Sequence, residues 1–180
     1  MANRIYKVGC AQHLWAANLN WNSDNIKMIA ATSGYTPNTN TDEFVNPAIA
    51  GGNIVARSPN FTTKSSVAGV LKADNPVFSS VTGSTITQFV VFDDSGSDAT
   101  SELLILYDTA TSGLPVTPNG GNITFQFAGS PNFVLAAAFA GLSEREKRGM
   151  REMWRRFRDL LQWDKTGSGI WIPTPEVILG

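Results

Sequence analysis

Cys10 and His13 stand three residues apart in VGCAQH, a spacing that on a helix brings a thiol and an imidazole onto one face, as a nucleophile and its base require. Nothing nearby offers an orienting acid or the donors of an oxyanion hole, so packing on the inner face of a first helix is the simpler reading of both. Asp93, Asp94 and Asp98 gather in DDSGSDATSE, where a D-x-G-x-D spacing lets carboxylates approach a hard cation such as calcium. The motif lacks the other ligands of a calcium loop, and a solvated hairpin loop with Asp93 as a turn cap accounts for the same residues. Arg148, Arg151, Arg155 and Arg158 form a third set, able to neutralise phosphates. Glu144, Glu146, Glu152 and Asp159 interleave with them and oppose both a nucleic-acid and an anionic membrane partner. No phosphate-binding glycine loop, zinc-protease helix or serine elbow occurs, and one Cys with one His falls short of a zinc site. The expectation is a protein that is not an enzyme and takes no cofactor or metal.

The elements that must position these residues follow from composition and period. The chain has 180 residues, with a formal net charge of −1. Residues 1–142 carry six Lys/Arg against nine Asp/Glu, whereas 143–180 carry eight against six, so an acidic body precedes a basic tail. The N-terminus has no apolar core of the length a signal peptide needs, and the longest apolar run, Phe133 to Leu142, is too short to span a bilayer. A soluble protein made in a cytoplasm is expected, with no membrane partner.

From Asn3 to Leu19 apolar residues recur at helical spacing, predicting a short N-terminal helix that Gly9 weakens. Ile26, Met28 and Ala30 then alternate as in a strand, and residues 36–50 read as a surface loop rich in Asn, Thr and Pro. Short branched and aromatic runs follow at roughly ten-residue spacing: NIVAR (53–57), VAGVLKA (67–73), PVFSSV (76–81), TITQFVVFD (85–93), SELLILY (101–107), NITFQF (from 122) and NFVLAAA. This pattern predicts a mainly β fold, an antiparallel β-sandwich or barrel. FVVF and LLILY are apolar on both sides and predict central strands covered on both faces; Ile123, Phe125 and Phe127 alternate with polar residues and predict one wet face.

The tail has its own grammar. Ser143 and Glu146 form a capping box, after which Met150, Met153, Trp154, Phe157, Leu160 and Leu161 recur at steps of three and four, a C-terminal amphipathic helix. Gly167 ends it. Ile170, Trp171, Ile172, Val177, Ile178 and Leu179 follow in a stretch whose Pro173 and Pro175 forbid a regular helix, predicting an extended apolar arm that something must cover. The organisation read here is a β-rich body over 1–140, the helix over 141–166 and the arm over 167–180. These tail residues, with Trp163, are the candidate interaction residues, and the aromatic anchors Trp154, Phe157, Trp163 and Trp171 should carry most of the binding.

ANRIYKVG, NWNSDNIKMIAATSGYTPN and VVFDDSGSDATSELLILYDTATSGLPVTPNGGNITFQF resemble, in that order, a family of small virion proteins of tailed bacteriophages. The likeness covers roughly residues 2–135, and DTATSGLPVTPNGG is its most distinctive part. The resemblance implies a structural component with no catalytic residue to carry over. It also implies a homo-oligomer in a virion, made in a bacterial host and joined to major capsid, portal or neck and tail proteins. Capsid decoration or cement is the first station expected, and a neck or tail ring or sleeve the alternative. A receptor- or glycan-binding module is a third reading, with Trp15, Trp21 and the loop at 36–46 facing ligand, although Trp21 in NWN also suits a seal at the corner between helix and strand. The residues from 141 onward are an addition to the pattern of the shorter members, and with it extra attachment surface is expected.

Overall fold

A computed structural model describes residues 3–11, 19–67, 70–110, 112–127, 133–137, 170–171 and 176–179. The fold is mainly β, and every strand pairing in its three sheets is antiparallel.

The first sheet is built on the two runs with apolar residues in every position. It contains β1 (Arg4–Ile5), β2 (Ile26–Ala31), β3 (Ile54–Arg57), β7 (Gln88–Asp93) and β8 (Glu102–Tyr107), in the order β1-β8-β7-β2-β3. Because successive side chains point to opposite faces, a run of apolar residues demands cover on both. Both faces are covered. Phe89 and Val91 of β7 face one cluster with Met28, Ala30, Leu104 and Tyr107, while Val90 and Phe92 face another with Ile29, Leu103 and Leu106. The register of β7 and β8 shifts between Val91 and Phe92, a bulge that keeps both clusters supplied.

Cover for the first cluster comes from the third sheet, which holds β6 (Val77–Phe78), β9 (Ile123–Gln126) and β12 (Glu176–Leu179) in the order β12-β9-β6. The contact is aromatic: the Phe125 ring lies 5.0 Å from those of both Phe89 and Tyr107, and Phe78 lies 5.5 Å from Phe89. Phe127, Phe61 and Trp21 continue the line at 5.2, 5.7 and 6.2 Å between neighbours. Such tilted and edge-to-face pairs add about 0.5–1.5 kcal/mol each beyond the apolar area they bury.

The second cluster is covered by a loop. Residues 36–50 were expected to run over the surface, yet Val45, the first residue of the short turn α1 (Val45–Ala48), and Ile49, just after it, are buried beneath the sheet. Val45 donates its N–H to the Ser101 carbonyl at 2.9 Å, which ties the loop to the start of β8.

The helix expected from Asn3 to Leu19 begins as a strand. Arg4 and Ile5 pair with Leu106 and Ile105 along the open edge of β8, and Arg4 reaches Asp108 at 2.8 Å. A π-helical turn follows at Lys7–Ala11; residues 12–18 of the expected helix lie outside the described residues. Gly9 marks the reason, since a Cβ there would stand 2.3 Å from the Leu103 carbonyl oxygen. The local period was helical, but an unpaired sheet edge takes up the backbone hydrogen bonds of the first residues.

The second sheet has the order β11-β10-β5-β4, formed by β4 (Ser65–Val67), β5 (Val70–Lys72), β10 (Phe133–Ala137) and β11 (Ile170–Trp171). VAGVLKA, read as one strand, is divided between the two arms of a hairpin in which Val67 pairs with Val70.

Candidate interaction face

Three large apolar side chains stand out as exposed among the described residues, and all three belong to the third sheet: Val77 at 37%, Ile178 at 40% and Leu179 at 43%. Their placement follows from strand alternation. Phe78, Ile123, Phe125 and Val177 point into the core, so Val77, the half-buried Thr124 and Ile178 point outward. The register sets Val77 and Ile178 opposite Thr124 from either side, giving one row across all three strands. Leu179 pairs with Ile123 at the end of β12.

β12 is held by more than β9. Val177 donates its N–H to the Ser112 carbonyl at 3.1 Å, on the side away from β9. Gly113 then passes so close that a Cβ would stand 1.7 Å from the Val177 oxygen; its φ of +76° is also one that suits glycine. Val116 bridges to Ile86, with Ile86 donating at 2.8 Å and Val116 at 2.9 Å, and Gly120 donates to the Val81 carbonyl at 2.9 Å. The phrase SGLPVTPNGG, from Ser112, is thus the cradle that aligns β12 and the turn into β9.

Of the residues expected to cover a neighbour, Val177 instead belongs to this chain's own core, at 4% exposure. Ile178 and Leu179 remain exposed. The extended conformation expected of the arm is present at Ile170–Trp171 and Glu176–Leu179, but its partners are the chain's own sheets: β11 pairs with β10 and β12 with β9. Ala137 pairs with Ile170, so the strands that flank residues 138–169 in sequence are neighbours in one sheet. Met150, Met153, Trp154, Phe157, Leu160, Leu161, Trp163 and Ile172, with the arginine stripe, lie outside the described residues.

The sites considered for chemistry are otherwise engaged. Cys10 is buried, and burial pushes its thiol up to about 12, which keeps it protonated and a poor nucleophile. His13 lies outside the described residues. Asp98 receives both terminal nitrogens of Arg57, at 2.9 and 2.7 Å, and Asp94 pairs with Lys27 while accepting the Gly96 N–H at 3.0 Å. Two of the three carboxylates therefore serve different cationic side chains, and among the described residues no group of three or more His, Cys, Asp or Glu is gathered to hold a metal. Trp21 is 3% exposed and its indole N–H donates to the Lys72 carbonyl at 2.9 Å, so it seals the corner and presents no face to a ligand; Trp15 lies outside the described residues.

Sequence reasoning did not anticipate a buried polar chain: the Tyr6 and Tyr35 hydroxyls lie 2.8 Å apart, and Tyr35 donates to Asp42 at 2.9 Å. Burial raises both phenols above their ordinary range, so both stay protonated and pin the loop to the sheet. It also missed Val77, although its alternation with Phe78 was a legible signal.

The loop after β7 makes a pH-dependent contribution. The Lys27 ammonium, followed by the Gly96 N–H, holds the Asp94 carboxyl below its ordinary range. A depressed carboxylate stabilises the fold above its unfolded pKa, and that contribution is lost as pH falls through the folded value. Asp94→Asn is expected to cost about 1 kcal/mol at neutral pH. The difference in thermal midpoint from the parent chain should narrow as pH falls below about 4. A gap unchanged at acid pH would assign the effect to packing.

No family model and no curated protein sequence matches this chain. Among the described residues no helix is long and apolar enough to cross a membrane.

Proposed function

We propose that this chain is a structural component of a bacteriophage virion that acts by binding neighbouring subunits, without catalysis or a cofactor. The observation that carries the binding reading is the pair of exposed side chains Val77 and Ile178, which flank Thr124 on the outer face of the third sheet. Apolar side chains scattered singly are ordinary, but a row across three strands suits an interface core. The phage setting rests on the sequence resemblance across residues 2–135. In this reading the first and third sheets are the two layers of an antiparallel sandwich, since the Phe125 ring fills the space between them.

Capsid decoration or cement is the station we favour: a small β protein held by apolar contacts to its neighbours and to major capsid protein, in several copies. The amphipathic segment with Met150, Met153, Trp154, Phe157, Leu160 and Leu161, which falls between β10 and β11 in the sequence, supplies further attachment surface in this reading. Excising 141–166 and joining the ends with a short Gly/Ser linker removes that segment while keeping β11 and β12, because Ala137 and Ile170 are already neighbours. Incorporation into particles is measured for this variant and for Val77→Asp/Ile178→Asp, with folding checked by circular dichroism. Each is expected to lower occupancy at least tenfold, the shift of about 1.4 kcal/mol or more that a lost apolar anchor produces. Full occupancy by both variants would refute the reading.

A further inference from the structure

We propose that Asn119 is a self-modification site, where the side-chain amide becomes a carboxylate through a ring closed on the Gly120 nitrogen, and that the folded turn withholds that nitrogen. The proposal does not rest on the assembly reading; it adds an ageing step to the same sheet.

Asn119 is the one asparagine of the chain followed by glycine. Ring closure needs the nitrogen of the next residue to reach the Asn Cγ, and a glycine there has no Cβ in the way. Both residues are exposed, and nothing lies within 4 Å of where a Gly120 Cβ would stand, so water and base reach the turn from outside. The step balances without an enzyme. Gly120 loses its amide proton to solvent base and its nitrogen bonds to Asn119 Cγ; the Cγ–Nδ2 bond breaks, and Nδ2 takes up a proton and leaves as ammonia. Water then opens the succinimide at Cγ, giving Asp, or at the main-chain carbonyl, giving isoAsp.

The turn presents one reactant and holds back the other. Gly121 donates its N–H to Asn119 Oδ1 at 2.8 Å, which draws electrons from Cγ and makes it a better electrophile. Gly120 donates its N–H to the Val81 carbonyl at 2.9 Å, which keeps the attacking nitrogen protonated and turned toward Val81. Two further bonds hold that arrangement: Val81 donates to the Gly121 carbonyl at 2.9 Å, and Ser80 donates its N–H to Asn122 Oδ1 at 3.0 Å. Reaction therefore follows local opening of the turn, not exposure alone. The isoAsp product adds a methylene to the main chain before Gly120, so the bonds of Gly120 and Gly121 to Val81 lose their spacing. The turn leads into β9, and the displacement passes to Thr124, between Val77 and Ile178.

The test incubates the full chain in mildly alkaline buffer, folded or in urea, and follows the peptide spanning Asn119 by mass spectrometry for the gain from amide to acid. Labelling by isoaspartyl methyltransferase identifies isoAsp. Modification is expected at Asn119 ahead of every other asparagine, and at least about tenfold slower in the folded chain than in urea. Equal rates in the two states would overturn the gate. An Asn119 peptide left unchanged in urea while other asparagines react would overturn the site. Gly120→Ala in urea should be slower than the parent, because the added Cβ crowds the attacking nitrogen; an unchanged rate would mean direct hydrolysis and no ring. Asn122→Ala removes the bond from Ser80 and leaves both reacting residues intact. With folding verified by circular dichroism, it should speed modification in step with faster hydrogen exchange of the Gly120 N–H. Faster exchange with no faster modification would refute the gate, and if this variant does not fold, the comparison of the parent chain in and out of urea decides.

Discussion

Gly113→Ala is expected to lower the stability of the folded chain by about 2–4 kcal/mol, from left-handed backbone strain together with a steric overlap that only a shift of β12 can relieve. The overlap is with backbone, not with the end of a flexible side chain: the added Cβ would lie 1.7 Å from the Val177 oxygen and 2.7 Å from its carbonyl carbon. β12 must therefore move or leave. Gly120→Ala is the matched comparison, because Gly120 has a φ of +88° but no atom within 4 Å of the added carbon. It should show the backbone term alone, about 1–2 kcal/mol. The measurement is the thermal midpoint of both variants with hydrogen exchange across Glu176–Leu179. Gly113→Ala should drop the midpoint by roughly 5–15 °C and unprotect β12, using 2–4 °C per kcal/mol for a chain of this size. Equal losses in the two variants would mean that β12 does not press on Gly113.

Phe125→Ala should be the most damaging core substitution, at roughly 3–5 kcal/mol. Phe125 is fully buried, and its ring meets Phe89 and Tyr107 of the first sheet at 5.0 Å each and Phe127 at 5.2 Å. Removing it leaves a cavity between two sheets, where neither backbone can close in without breaking its own ladder. Against a total stability of about 5–15 kcal/mol, the loss is large enough to shift the urea midpoint by a third or more. Phe125→Leu retains most of the volume and should cost about 1–2 kcal/mol. If both substitutions cost the same, Phe125 does not fill the space between the sheets.

The two predictions rest on features of unequal legibility. NITFQF announces a half-buried strand through alternation, and Phe125 could be named as core from period two alone. Gly113 could not be assigned its role so directly. SGLP reads as a turn, and the demand for glycine comes from a strand more than sixty residues away in sequence. The same division runs through the rest of the molecule. FVVF and LLILY state that both faces of their strands need cover, and both are covered. What covers them differs from face to face, the third sheet on one side and a loop with Val45 and Ile49 on the other, and no local pattern distinguishes these.

The candidate face divides in the same way. Ile178 and Leu179 could be chosen as attachment residues because large apolar side chains in an extended, proline-interrupted stretch need a partner. Val177 was chosen with them for the same reason, but β9 takes it as core. Val77 could be read as the outer side of PVF from its alternation with Phe78, but only register brought it opposite Thr124 beside Ile178.

By itself the sequence determined the β class, most strand positions, the apolar central strands and the absence of a recognisable catalytic motif, because period, turn residues and side-chain chemistry act over a few residues. Tertiary structure alone decided that Arg4 and Ile5 form an edge strand, that Asp94 and Asp98 answer to Lys27 and Arg57, and that β12 belongs with β9. Each of those outcomes is a competition among distant segments for the same hydrogen-bonding edge, charge or apolar surface, and its winner is set by the whole packed arrangement.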